Sequence, residues 1–270
     1  KVVVAHTLDE FLVRLPEAQT VICWAFKKEY YAQAPRLETI YTPAAGHDWI
    51  ESDPMGKVEG HFGSFHGSLI AESFMGMMLY FNNQYHLSQA HQKEKIWGNF
   101  ALKSRRPLEE QNLLIVGYGA IGKACAKAAQ AFNMNIFGLQ RTHQLGQDEQ
   151  GVQYCRREDL SELLPQIDHV LFLLPSGNDK FFNKEDFNQL KEGAYLYSFG
   201  RGTCIDESAM IESLQAQQLA GAGLDVFAVE PLPTESPLWE MDNVLITPHS
   251  SCYFDHYLKS FFQELKNLEL

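Results

Sequence analysis

Between residues 113 and 122 the chain reads Leu-Leu-Ile-Val-Gly-Tyr-Gly-Ala-Ile-Gly, and an alanine-rich amphipathic stretch follows. Four apolar residues of strand character thus run into glycines spaced G-x-G-x-x-G at the start of a helix. This context is more restrictive than the glycine string alone, which recurs in many loops. Gly117 permits a tight turn, Gly119 lets a bulky anion approach the backbone, and Gly122 lets helix and strand pack closely. Tyr118, Ala120 and Ile121 complete the loop. The unpaired amides of the helix N-terminus then face the phosphate charge, so a pyrophosphate-bearing dinucleotide is the expected ligand and a purely structural turn the alternative.

Downstream, short apolar runs alternate with amphipathic stretches. Strands are predicted over 112–116, 135–139, 169–174, 194–198, 221–225 and 244–247, with helices over 121–132, 158–164, 183–190 and 207–217. This rhythm predicts an α/β fold with a doubly wound parallel sheet of Rossmann type. Upstream, strands over 2–5, 20–24 and 39–41 and a helix over 8–15 predict a smaller α/β lobe. Leu69, Phe74, Met77, Met78 and Phe81 recur at helical spacing, so one long helix or two consecutive ones are predicted over 68–96, with the Met and Phe stripe in the core. The stretch 99–110 reads as a surface connection. Because Lys1 precedes an apolar run of strand character, further residues are expected ahead of it.

After the second strand of the Rossmann pattern, an acidic residue that accepts from ribose hydroxyls is usual. Gln140-Arg141-Thr142 stands there instead. A carboxylate would repel a 2′-phosphate, whereas Arg141 can pair with one while Gln140 and Thr142 hydrogen-bond to it. NADPH is therefore predicted over NADH. The alternatives for Arg141 are a solvated loop charge and stacking on the adenine without selecting a cofactor.

Three further segments place a chemically useful residue just beyond a predicted strand end, where open α/β sheets bind ligands. They are Ser198-Phe199-Gly200-Arg201-Gly202, Asp225-Val226-Phe227-Ala228-Val229-Glu230-Pro231 and Thr247-Pro248-His249-Ser250. Reduction of a keto acid requires a cation for the carboxylate, a proton donor for the carbonyl oxygen and a group that keeps that donor charged. Arg201, His249 and Glu230 supply these three. A surface-turn arginine, a glutamate ahead of a proline-rich loop and a packed loop histidine are the rival readings.

With the glycine loop upstream in the right order, these segments resemble the D-isomer-specific 2-hydroxyacid dehydrogenases over nearly the whole chain. The resemblance implies that Arg201 binds substrate carboxylate and carbonyl, that His249 protonates the carbonyl oxygen and that Glu230 pairs with His249. It implies that Asp225 holds the nicotinamide carboxamide, that Pro175, in Leu174-Pro175-Ser176, lines the cofactor cleft, and that Gly200 and Ser250 contact the cofactor. Ala45 and Gly46, in Ala44-Ala45-Gly46-His47-Asp48, match the loop whose amides receive the carboxylate. A flavodoxin-like substrate lobe over 1–65, rejoined by 251–270, and a dinucleotide domain over 66–250 follow from the same likeness. So does a homodimer built on 68–96 and Trp97. Together with the NADPH-type segment, the likeness points to the glyoxylate/hydroxypyruvate reductase branch. Ser198 and Gly200 replace the family's usual Asn and Ala, and Gly177 and Lys180 stand where hydroxyl residues are common. The family also usually has a strand and helix before the position of Lys1 and a longer segment after that of Leu258.

Composition narrows the alternatives. Apolar residues make up 45% of the 270, enough for real cores, and the net charge of −12 disfavours nucleic acid and anionic membranes as partners. The five cysteines form no CxxC and imply neither a disulfide framework nor a zinc ribbon, which fits a reducing cytoplasm. No apolar run approaches the roughly 18 residues of a membrane span. His61, His66, His86 and His91 lack metal-ligand spacing, so no metal is expected. Trp49, Trp97, Trp239 and His47 are candidates for a substrate cleft, although core or interface is the commoner fate of such residues. A non-catalytic dinucleotide sensor or corepressor on the same fold is the functional alternative, which the Arg201, Glu230 and His249 set argues against.

Overall fold

A computed structural model describes residues 2–98, 105–141 and 146–267. The chain divides into two compact units, one formed by Lys1–His66 with Phe254–Leu270 and the other by Gly67–Tyr253.

The smaller unit begins with α1 (Leu8–Arg14), capped by Thr7, whose hydroxyl oxygen accepts from the Glu10 amide at 3.2 Å. Asp9 and Glu10 in its first turn and Arg14 in its last complement the helix dipole. Strands β1 (Thr20–Ile22), β2 (Thr39–Thr42) and β3 (Glu59–Phe62) form a parallel sheet in that order. Leu15, Phe26, Tyr30 and Ile40 fill its core. The strand predicted over 2–5 does not form: Val2, Val3 and Val4 are 93%, 51% and 69% exposed and pair with nothing among the described residues. β-branched residues favour extended backbone, but a strand exists only through its ladder.

The larger unit opens with α2 (Gly67–Asn82) and α3 (Tyr85–Glu94), separated at Gln84, whose φ of 56° is left-handed. Two helices therefore occupy the predicted 68–96 region. Phe74, Met77, Met78 and Phe81 are buried, as their spacing predicts. There follow β4 (Asn112–Val116), α4 (Ala120–Gln130), β5 (Asn135–Leu139), β6 (Gln153–Cys155), the short α5 (Leu160–Leu163), β7 (His169–Phe172), α6 (Lys184–Gln189), β8 (Ala194–Ser198), α7 (Glu207–Gln215), β9 (Leu219–Leu224) and β10 (Val244–Ile246). All seven strands are parallel, in the order β10-β9-β8-β7-β4-β5-β6. The chain leaves β4 in one direction to β5 and β6, then returns to β7 on the other side, which creates the switch point of a doubly wound sheet.

Alternate residues of β4 serve opposite cores. Leu114 and Val116 pack with Phe172 and Leu196 on one face, while Leu113 and Ile115 pack with Leu171, Tyr197 and residues of α2 and α4 on the other. At the strands' N-terminal ends the fully buried His169 brings Nε2 within 2.8 Å of Gln111 Oε1 and Nδ1 within 3.2 Å of the Tyr197 hydroxyl. The Gln111 amide nitrogen faces Asn82 Oδ1 and two backbone carbonyls, so Oε1 is the acceptor and His169 carries its proton on Nε2. Beside it, the Asp168 carboxylate takes Arg106 at 2.8 Å, Lys191 at 2.6 Å and the Asn112 amide at 3.0 Å. Among the described residues no helix is long and apolar enough to cross a membrane.

The chain returns to the smaller unit in α8 (Tyr257–Asn267), which sequence reading did not anticipate. Its Tyr257, Phe261 and Leu265, four residues apart, are buried, and the last two pack on Tyr41 of β2.

Candidate active site

Five turns lie beyond the C-terminal ends of β4, β7, β8, β9 and β10, and each is hydrogen-bonded or packed against its neighbour. In the first, Gly117 has φ of +103°, and a Cβ there would come within 2.9 Å of the Leu173 backbone. A Cβ on Gly122 would stand 2.9 Å from Gly117 O and 3.3 Å from Ile115, so helix and strand touch. Around Gly119, the residue preceding α4, there is nothing within 4 Å of an added Cβ. Two glycines thus serve packing and the middle one faces open space at a helix N-terminus, a cradle that fits a pyrophosphate. Tyr118 turns away from it: its ring lies under Gly138 and its hydroxyl donates to Asp148 at 2.5 Å.

The second turn, Leu174-Pro175-Ser176, is tied to the third. The Arg201 amide donates to Leu174 O at 3.0 Å, and Cys204 Sγ lies 3.3 Å from Pro175 O. Gly200 faces the same backbone so closely that a Cβ would sit 2.4 Å from Leu174 O. Arg201 is partly buried, and its Nη1 donates to Gly200 O at 3.1 Å.

The fourth turn starts at Asp225, which is 1% exposed. Gly202 abuts it: a Cβ there would lie 2.0 Å from the Phe227 carbonyl carbon. Glu230 folds back so that Oε1 accepts from the Phe227 amide at 3.0 Å and Oε2 meets His249 Nδ1 at 2.8 Å. Both side chains are a little over a third exposed. With Nδ1 held by the carboxylate, Nε2 is the nitrogen left for a substrate.

His249 has φ of +50°, an uncommon conformation for a non-glycine residue. Asp225 stabilises the turn that imposes it. Its carbonyl accepts the His249 amide at 2.8 Å, Oδ1 accepts Thr247 Oγ1 at 2.6 Å and the Ser250 amide at 2.9 Å, and Oδ2 accepts the Ser251 amide at 3.3 Å. Ser73 of α2 donates to Ser251 O at 2.7 Å, and Glu207 of α7 accepts the Ala228 amide at 3.0 Å. Sequence reading quoted Thr247 without giving it a role and missed Ser251, Ser73 and Glu207. Only the Thr-Pro pair at a strand end offered a signal, since such hydroxyls commonly close local turns.

Gln140 and Arg141 follow β5, with Arg141 exposed; Thr142 lies outside the described residues. Ala45 and Gly46 belong to the smaller unit, in the loop after β2. Trp49, Trp97 and Trp239 are 44%, 104% and 51% exposed, so none is a core residue. His47 stacks on Phe62 with ring centroids 4.0 Å apart. No group of three or more His, Cys, Asp or Glu that could hold a metal occurs among the described residues.

A parallel sheet with a glycine loop at its switch point defines a Rossmann-type α/β protein. Residues 75–251 match the model of the D-isomer specific 2-hydroxyacid dehydrogenase, NAD binding domain, and the chain belongs to that family. It is 40% identical over 143 residues to glyoxylate/hydroxypyruvate reductase B of Enterobacter sp. (strain 638), a stretch covering 52% of this chain and 43% of that relative. The chain thus matches less than half the length of that curated relative. Among solved structures, the NADPH-dependent glyoxylate/hydroxypyruvate reductase of Sinorhizobium meliloti, in complex with NADP and sulfate, superposes with a TM-score of 0.80 at 25% identity, over 93% of this chain and 80% of that one. D-lactate dehydrogenase of Aquifex aeolicus, complexed with NAD and lactic acid, gives 0.80 at 26% identity, over 95% and 83%.

Proposed function

We propose that this chain reduces a small 2-keto acid of the glyoxylate or hydroxypyruvate class to the D-2-hydroxy acid, using NADPH in preference to NADH. The observation that carries this reading is the 2.8 Å contact between His249 Nδ1 and Glu230 Oε2, at the same sheet edge as Arg201 and the open glycine cradle. A reduced nicotinamide, when bound, supplies hydride to the carbonyl carbon. The turn at Gly119 would hold its pyrophosphate, with Gly117 and Gly122 packing the loop that presents it; Leu174, Pro175, Ser176, Gly200, Asp225 and Ser250 follow along the same edge, and the Gln140-Arg141-Thr142 sequence would meet the 2′-phosphate. Arg201 pairs with the substrate carboxylate; in the smaller unit, taken by itself, the family resemblance gives the amides of Ala45 and Gly46 the role of a carboxylate receiver.

His249 gives the proton on Nε2 to the carbonyl oxygen as negative charge develops there. Glu230 holds the ring in that orientation through Nδ1, so proton donor and orienting carboxylate work as one unit. An oriented proton donor beside Arg201 suits catalysis better than a non-catalytic sensor, which counts against that alternative. Exposed Tyr85, Leu87, Ile96 and Trp97 in and beyond α3 support assembly as a homodimer.

Nicotinamide absorbance, followed with NADPH and then NADH over a panel of keto acids, tests the reading. Turnover is expected with glyoxylate or hydroxypyruvate, and His249→Gln is expected to remove it while cofactor affinity stays nearly unchanged. Tight cofactor binding without turnover of any keto acid would refute the enzyme, and lost cofactor binding in His249→Gln would make that residue structural.

A further inference from the structure

In the smaller unit the loop over 43–46 is held from several sides. Thr42 Oγ1 accepts from the Ala44 amide at 3.2 Å and donates to Trp24 O at 3.2 Å. The Gly63 amide is shared between Thr42 O at 3.0 Å and Ala44 O at 3.1 Å. Tyr257, which opens α8, donates its hydroxyl to Pro43 O at 2.9 Å across 214 residues of sequence. Pro43 O, Ala44 N and Ala44 O are therefore all engaged. The next two amides, of half-buried Ala45 and Gly46, donate to no acceptor among the described residues. Adjacent unspent amides on a braced loop suit an incoming anion.

The Tyr257 hydroxyl has one proton, which goes to Pro43, so it accepts from His66 Nε2–H at 2.7 Å. That fixes the His66 tautomer. Its Nδ1 is buried with no hydrogen-bond partner among the described residues, and burial lowers the imidazole's pKa, against the Gly63 and Pro43 backbone and Glu264, which raise it. We propose that Tyr257, oriented by His66, is a positioning residue: by holding the Pro43 carbonyl it aims the Ala45 and Gly46 amides and sets the affinity for the substrate carboxylate. This rests on the keto-acid reading, which makes those amides a carboxylate receiver. A purely packing role for Tyr257, stacked on Trp24 at 5.6 Å and edge-on to Phe65 at 4.9 Å, needs only the ring.

Tyr257→Phe keeps the ring and removes the bond, so steady-state kinetics of the full chain with glyoxylate and NADPH separates the two roles. The KM for glyoxylate is expected to rise about 5–10-fold, the usual worth of one such hydrogen bond, with kcat changed less than about twofold and the KM for NADPH unchanged. His66→Leu should move glyoxylate KM the same way, and His66→Gln, whose amide can still donate to the hydroxyl, should restore it. An unchanged glyoxylate KM in a folded Tyr257→Phe protein overturns the positioning role alone, as does His66→Gln behaving like His66→Leu. A wild-type chain that reduces no keto acid overturns the functional reading and this inference with it.

Discussion

Gly202 carries the sharpest test of how the site is built. Its added Cβ would lie 2.0 Å from the Phe227 carbonyl carbon, 2.2 Å from its oxygen and 2.5 Å from its Cα, against an ordinary contact of at least 3.4 Å. All three obstacles are backbone, so no side chain can swing aside. Gly202→Ala must therefore part the Arg201 turn from the turn bearing Glu230 by about 1.4 Å, the shortfall between those distances. Overpacking of this kind costs roughly 1–3 kcal/mol, which lowers the melting temperature by about 2–12 °C for a unit of this size. Activity should suffer more. Misplacing a catalytic group by about 1 Å can cost on the order of 10²-fold, so kcat/KM for the keto acid should fall by about that factor. Calorimetry measures the first effect and steady-state kinetics the second. A Gly202→Ala chain that melts with the wild type and keeps its turnover would show that the two turns are not in contact as described.

Arg141→Ala is expected to weaken NADPH binding at least tenfold while NADH binding changes little, because only the former has a 2′-phosphate to lose; equal losses by fluorescence titration would assign Arg141 to the adenine or to solvent. A different perturbation probes the opposite end of the sheet. Burial pushes His169 down to about 4 from an unfolded value of about 6.5, so the folded state resists protonation. Stability from this residue is complete above about pH 6.5 and is lost as pH falls towards about 4, an effect of about 3 kcal/mol at most. Denaturant titrations across that window should show His169→Gln with a flatter acid limb, and parallel curves would refute the assignment.

Legibility followed burial. The strands Asn112–Val116, Asn135–Leu139 and Ala194–Ser198 were readable to the residue, because parallel strands covered on both faces are continuous apolar runs bounded by polar or glycine signals. Glu59–Phe62 and Gln153–Cys155 were not readable. Each is a short edge strand with one neighbour, so pairing rather than composition makes it a strand. The 2–5 run failed in the opposite sense, having strand composition and no partner among the described residues. At the site, strand-end placement singled out Arg201, Glu230 and His249, and the fold sets them on turns of one sheet edge, with Glu230 and His249 in contact. The bonds that hold them were not, since Thr247 with Asp225, or Tyr257 with Pro43, become neighbours only when distant strands align.

The five turns at the sheet edge touch in series: Gly117 meets Leu173, Leu174 meets Arg201, Gly202 meets Phe227, and Asp225 meets Thr247, His249 and Ser250. Mechanically they behave as links of a short chain. Paired substitutions in adjacent links share a displacement, so their energetic costs are non-additive, whereas substitutions in the first and last links add. Changes to the Gly117–Gly122 loop can therefore accumulate without disturbing His249, while the Arg201 turn and the Glu230 turn must vary together.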